Sequence, residues 1–503
     1  MARERFSPYG VITDIPPEEI NAEVDVWHDV ANVQFARGQA RRVQGLTRIY
    51  DSTPLFKPLH LLATANGSEN FKLYGGDLGV GVVRNGLTHH DITPLSFADS
   101  GANNTYTGGK LNGLPFLNRI ANVPWFWAED ENVVMQDLPD WPAGITCRAM
   151  RSFKFHLFAL GIIDNGVEFN DKYLWSDGAD EGDVPQSWTA SPTTEAGSDL
   201  LAETSGDIQD AAVMRDSLII YKDTSCYIVT YVAGNDVFAN RLLFAQVGAL
   251  SRNCVVEVYG EHYVFGPGEI FRHDGHSVTT LANEKIRDRI FLDIDPINFI
   301  NSFVAYDPRS QSVLFCYPSN GAVHPDLVAI YDINKGAWGF RDMFNESPYM
   351  TAGNIDEPET SNYDSQVESY DETARRYNET LYSGAIERLT QLDFSNSRFY
   401  AVGVGNTNDG TLIPGLLRKT AMDLGDPSSI KTVKTIWPRL DGLGDVSIRL
   451  GSQDRTEVGV DWGPYKDFGP TDDKLDYFMT GRYISIEIIG ASQQQWNVSG
   501  FDL

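Results

Sequence analysis

Residues 253–343 constrain the fold more than any other part of the chain. Val255, Val256 and Val258 form a short apolar run, and Gly260-Glu261 turns the chain. Tyr263, Val264 and Phe265 form a second run, and Gly266-Pro267-Gly268 turns it again. Ile270-Phe271-Arg272-His273 is a third, Asp274-Gly275 is a tight-turn dipeptide, and Ser277-Val278-Thr279 follows. Four short strands joined by glycine-containing turns predict an antiparallel meander. The layout returns at once in 303–306, 312–317, 327–331 and 337–340, with turns at Asp307-Pro308, Asn320-Gly321 and Asn334-Lys335-Gly336. One such sheet cannot bury both faces alone, whereas radial stacking between neighbours buries both. Two hairpin pairs in a β-sandwich would carry the same local pattern.

The 503 residues allow two to four domains, or one large repeat domain with insertions. A hydrophobic share of 42% suits a packed core rather than disorder. Forty basic residues against 69 acidic ones give a net charge of −29. Gripping nucleic acid needs clustered Lys and Arg to displace counterions, so this chain should repel DNA overall. Plain solubility explains the same charge. The four cysteines, Cys147, Cys226, Cys254 and Cys316, lie in or beside apolar runs and form no CxxC pair. Buried reduced thiols are expected, as in a reducing cytosol. The first residues show no secretion-type apolar region, and no run is long enough to span a membrane.

In chain order, residues 1–26 read as an irregular arm, because Pro8, Pro16 and Pro17 forbid regular ladders. Such an arm either disorders or docks on a neighbour. Arg37, Arg41, Arg42 and Arg48 then make a cationic patch beside Val30, Val33 and Phe35. It is a candidate contact for DNA phosphates or an acidic partner, and a solvated strand face fits equally well. Residues 27–344 read as the β-platform. Units near 60–95, 111–138, 148–188, 211–247, 254–281 and 302–342 give about six repeats. Residues 282–293 are the helix candidate, with Ile286, Ile290 and Phe291 on one face and Asn283 as cap. Residues 345–378 are acidic and poor in aliphatics, as in an exposed insertion. Residues 379–503 return to strand. Runs at 380–383, 388–393, 435–440, 446–451, 457–460, 474–479 and 483–489 would complete the platform and build a small C-terminal β-domain. The expected fold class is therefore all-β: a β-propeller of about six blades with an appended β-domain and an irregular arm.

Catalytic chemistry is hard to find. His89 and His90 are neighbours on a strand and face opposite sides, so one metal would not take both. His273, Asp274 and His276 surround a turn whose chemistry explains Asp274 without a metal. Asp177, Asp180, Glu181 and Asp183 offer oxygens but miss the spacing of a calcium loop. GxSxG, P-loop, HExxH and GxGxxG motifs do not occur. The expectation is no catalytic residue, no metal and no cofactor.

Gly248-Ala249-Leu250-Ser251, the runs 255–258 and 263–268, and Phe271-Arg272-His273-Asp274-Gly275 resemble short-tailed phage virion proteins. These are the tail nozzle or hub proteins, also called packaged-DNA stabilisation or tail tubular B proteins. Trp27, Asn32-Val33, Phe35, Gly38 and Gly45 resemble their start, where the chain enters the first blade. Tyr331-Asp332 with Gly336-Ala337-Trp338 resembles a late blade, and Gly481-Arg482-Tyr483 to Trp496-Asn497-Val498-Ser499-Gly500 resembles their C-terminal domain. The likeness implies a structural virion protein, assembled in the host cytoplasm into a homo-hexameric ring below portal and adaptor. Double-stranded DNA would pass the ring without sequence reading, tail fibres or tailspikes would attach, and Arg37, Arg41, Arg42 and Arg48 would meet the adaptor. A glycan-binding or glycan-cleaving propeller and a receptor-binding tail tip are the rivals, since a fold does not decide function.

Overall fold

The computed structural model describes residues 5–6, 10–17, 26–66, 69–84, 88–99, 101, 106–232, 237–355 and 387–503. Among them the regular secondary structure is almost entirely antiparallel β-strand. Five successive four-stranded sheets occupy Pro58–Asn66 to His89–Asp91, Tyr106–Leu111 to Gln136–Asp137, Ile145–Phe153 to Gly197–Leu200, Ile208–Met214 to Phe238–Phe244, and Val255–Val258 to Val278–Thr280. A sixth meander runs from Phe303–Asp307 to Ala337–Asp342. Each sheet is a simple up-and-down meander whose neighbours in sequence pair antiparallel; the turns of the fifth are short, whereas the last strand of the third is reached through residues 176–196.

The six units read from the sequence each overlap one of these sheets, though 111–138 misses the strand Tyr106–Leu111 and 148–188 misses Gly197–Leu200, and there is a seventh sheet. Met350–Gly353, Arg388–Asp393 and Arg398–Val402 pair in order, and Leu46–Arg48 from the N-terminal part adds the fourth strand. The expected insertion at 345–378 therefore begins later: its first residues include a strand and buried Met350. Residues 356–378 of that insertion, and the strand expected at 380–383, lie outside the described residues. The first strands of the seven sheets touch one another in a closed cycle, the seventh contacting the first. The arrangement is propeller-like.

Residues 29–42, expected to open the platform, pair with the C-terminal strands. Asp29–Ala31 joins Gly415–Met422, Tyr483–Gly490 and Val446–Gln453. Val33–Ala36 and Gln39–Arg42 form a hairpin whose two-residue loop, Arg37-Gly38, has φ of 54° and 75°. Both central residues of such a turn need positive φ, which Gly38 adopts freely. The hairpin bridges the sixth sheet, through Val33 opposite Phe340, to Trp496–Asp502, Lys431–Gly442 and Leu475–Gly481. The two C-terminal sheets share one core, with Leu417, Ile448, Ile486, Trp496 and Phe501 packed in the same cluster as Val30, Val33, Phe265 and Trp338. Expected strand 457–460 is instead a turn before Asp461–Trp462.

Three more local readings change. The helix is only Arg287–Phe291, and Ile286 rather than Asn283 stands at its N-cap, without a side-chain cap bond. The run 152–160 is not one strand: Lys154, at φ 53°, turns the chain between Ile145–Phe153 and His156–Asp164. No glycine marks that turn, so the sequence hid it. Described parts of the N-terminal arm dock on their own chain. Val11 bridges Trp27, Thr13 N–H donates to Lys285 O (2.7 Å), and Asp14 Oδ2 accepts from Asp288 N–H (3.0 Å).

Candidate functional site

A polar hub lies where the seven first strands converge. Arg151, on Ile145–Phe153, is its centre. Its Nε donates to Asp210 Oδ1 and its Nη2 to Asp210 Oδ2, both at 2.7 Å. The same Nη2 reaches Asn253 Oδ1 (2.8 Å), and Nη1 reaches Gly108 O (2.9 Å). Asp210 also accepts from the backbone N–H of Asn253 (2.7 Å) and Ala211 (2.8 Å), so its oxygens hold four bonds. Asn253 Nδ2 donates to Tyr106 O at 3.0 Å. The Asp210 side chain is 2% exposed and the Arg151 side chain 19%. A fork-on-carboxylate pair with its remaining lone pairs satisfied is the arrangement that offsets the cost of burying charge.

Aromatic rings complete the circle. The His60 ring lies 4.3 Å from that of Tyr349, and Tyr349 lies 5.4 Å from Phe303. His60, Tyr106, Arg151, Asp210, Asn253, Phe303 and Tyr349 thus come one from each sheet, at or just before its first strand. Burial alone would lower the Arg151 guanidinium, but the charge and hydrogen bonds of Asp210 outweigh it and raise its pKa. Burial, helped by Arg151, pushes His60 down to about 3, so its ring is neutral. The hub can carry stability and close the axis. It presents no nucleophile beside a base.

A second buried chain ties the fourth sheet to the fifth. Tyr221 Oη lies 2.7 Å from His262 Nδ1 and 2.6 Å from His273 Nε2. His262 Nε2 faces Val213 O at 2.9 Å and must carry the proton there. Neutral His262 therefore accepts from the Tyr221 hydroxyl, which in turn accepts from His273 Nε2–H. Burial lowers both rings, His262 to about 4 and His273 to about 3. Burial likewise lowers His89 to about 4.

These neutral imidazoles make the fold acid-sensitive. Between about pH 6.5 and 3–4 the unfolded chain takes protons that the folded chain refuses, so stability falls as pH falls through that window. At pH 5 each of the four rings removes on the order of 2 kcal/mol. The melting temperature is expected to be flat from pH 8 to 7 and to drop steeply between pH 6.5 and 5. A calorimetric profile that stays flat to pH 5 contradicts neutral burial.

The residues singled out in the sequence do not gather. Arg37 is exposed at the hairpin tip. Arg41 is held by Gln39 Oε1, at 3.1 Å from Nε and 2.8 Å from Nη2. Arg42 is wholly buried and clamps the carbonyls of Ser492, Asn406 (3.3 Å) and Gln494 (2.9 Å). Arg48 pairs with Asp51 at 2.7 Å on the seventh sheet. A strand alternates its faces, so this basic run is dispersed rather than a patch. His89 is buried and His90 half-buried. Asp274 Oδ1 accepts from the N–H of His276 (2.9 Å) and Ser277 (2.8 Å), a satisfied turn. Asp177 Oδ1 accepts from Gly178 and Glu195 N–H, and Asp183 Oδ1 from Val184 N–H. Among the described residues no group of three His, Cys, Asp or Glu side chains is placed to hold a metal. All four cysteines are buried and unbridged, and burial raises Cys226 and Cys254 to about 12. Sequence reasoning passed over Arg151 and Asp210. Their only signal is charge within two largely apolar strands, Arg148 and Arg151 in ITCRAMRSF and Asp210 in IQDAAVM.

No family model and no curated protein matches the chain. Solved structures give distant likenesses. BBS1N in complex with ARL6DN is 8% identical, covering 73% of this chain and 98% of that one at a TM-score of 0.40. The computationally designed Ika8 protein is 10% identical, covering 80% and 100% at 0.37. The extracellular domain of the putative one component system BT4673 from B. thetaiotaomicron is 10% identical, covering 72% and 40% at 0.41.

Proposed function

We propose that the chain is a structural component of a short phage tail, a nozzle or hub subunit that assembles into a ring and lets DNA pass. In this reading the seven sheets are blades of a propeller, closed by Leu46–Arg48 as the fourth strand of the last blade. The C-terminal sheets are the appended β-domain. The observation that carries the reading is the placement of charge: residues 49–402 hold 48 acidic and 24 basic side chains, while 403–503 hold 14 and 10. An acidic wall repels phosphate, so DNA slides along it instead of adhering. The hub fills each propeller's own axis with Arg151, Asp210 and Asn253. The conduit therefore lies between copies, and no bond-making is assigned to the chain.

Native mass spectrometry with the neighbouring tail proteins is the test. A ring of six copies is the expected species. A chain that stays monomeric beside those proteins, or that turns over host surface polysaccharide, overturns the proposal.

A further inference from the structure

The sheets leave very different outer edges. On the first, second, third and fifth sheets the outermost strands are His89–Asp91, Gln136–Asp137, Gly197–Leu200 and Val278–Thr280, with three, two, four and three residues. The sixth sheet's outer strand is covered by the hairpin strand Val33–Ala36. The fourth sheet differs: its outer strand, Phe238–Phe244, has seven residues and, among the described residues, no strand beyond it. A long edge of this kind presents unpaired N–H and C=O groups and invites another strand. Its exposed cation, Arg241, has no ion pair or side-chain hydrogen bond among the described residues. At the far end of the ten-stranded sheet lies a second seven-residue edge, Leu475–Gly481. It carries Phe478, 79% exposed, and Asp476, whose side chain is 69% exposed.

We infer that these two edges meet between copies: Phe238–Phe244 of one chain adds to Leu475–Gly481 of the next. The inference rests on the ring reading above. Equal lengths let backbone hydrogen bonds run along both strands, and Arg241 and Asp476 are of opposite sign. In a parallel pair with Arg241 beside Asp476, Phe478 falls opposite half-buried Leu243 on the same face and gains cover there. Pairing of Phe238–Phe244 with its own copy is disfavoured, because Arg241 is the central residue and would face itself. A contact between two different edges is heterologous, the kind that closes rings. Lys466 Nζ already caps the Asp476 carbonyl and Lys474 pairs with the Asp476 carboxylate at 2.9 Å. Charges of this sort blunt an edge against indiscriminate partners.

The experiment compares wild type, Arg241→Glu, and Arg241→Glu with Asp476→Arg by native mass spectrometry, with amide exchange on the assembled wild type. Expected are slowed exchange in both strands on assembly, at least a tenfold loss of ring in the single variant, and recovery in the double. Arg241 is exposed, so an unchanged melting curve for Arg241→Glu separates lost assembly from lost folding. A wild-type ring that the single variant leaves intact, without protection of either strand, overturns the pairing and spares the ring reading. A dimer indifferent to Arg241→Glu also overturns it, assigning the Phe478 edge to self-pairing. Absence of any ring removes both.

Discussion

Replacing Arg151 by Met is expected to destabilise the protein by about 3–5 kcal/mol. The variant leaves the Asp210 carboxylate 2% exposed with only the backbone N–H groups of Asn253 and Ala211 as donors. It also frees Gly108 O and Asn253 Oδ1, so three sheets lose a shared partner. The charge, not the volume, sets the size of the effect. Adding Asp210→Asn to Arg151→Met should therefore recover part of the loss: it removes the buried charge, while its one amide oxygen keeps only one of the two N–H groups, which bond to Oδ1 and Oδ2 separately. Urea unfolding of both variants reads the result. A double variant no better than the single would show that packing around Arg151, rather than the buried charge, holds the hub.

Removing residues 1–48 is expected to abolish cooperative folding. The deletion takes Asp29–Ala31 from the C-terminal sheet of Gly415–Met422, the hairpin of Val33–Ala36 and Gln39–Arg42 from the sheet that joins the sixth meander to Trp496–Asp502, and Leu46–Arg48 from the seventh. Val30, Val33, Phe35 and Leu46 are each no more than 4% exposed, and Trp27 is 3% exposed. At about 1.5–3 kcal/mol for each large apolar side chain, their loss approaches the total stability of a typical domain. The seventh sheet would also lose its contact with Thr407–Asn408, which pairs with Leu46 on the other side. Among the described residues, deleting 1–9 removes the two-residue strand Arg5–Phe6, and it should cost little. Circular dichroism melts of the two truncations decide the matter. A sharp transition in the longer deletion would mean that the ring of sheets closes without its N-terminal strand.

The fifth and sixth sheets were legible because their turns are written in Asp274-Gly275, Gly266-Pro267-Gly268 and Asn334-Lys335-Gly336, within a few residues of the strands they join. The seventh was not. Two of its strands flank residues 356–386, and its fourth strand comes from Leu46–Arg48, some 350 residues away in the chain. The basic run from Arg37 to Arg48 misled for a related reason. Its residues are adjacent in sequence, yet a hairpin turn, strand alternation and a change of sheet send them to four different settings.

The chain's sequence alone determined that it is all-β, built of short meanders, strongly acidic and without a recognised catalytic motif, because strand period, turn residues and net charge are local or additive properties. Only the tertiary structure decided how many sheets meet, what closes their cycle and which polar groups fill its centre. Those depend on contacts such as Arg151 with Asp210 and Val33 with Phe340, between segments that no local pattern relates.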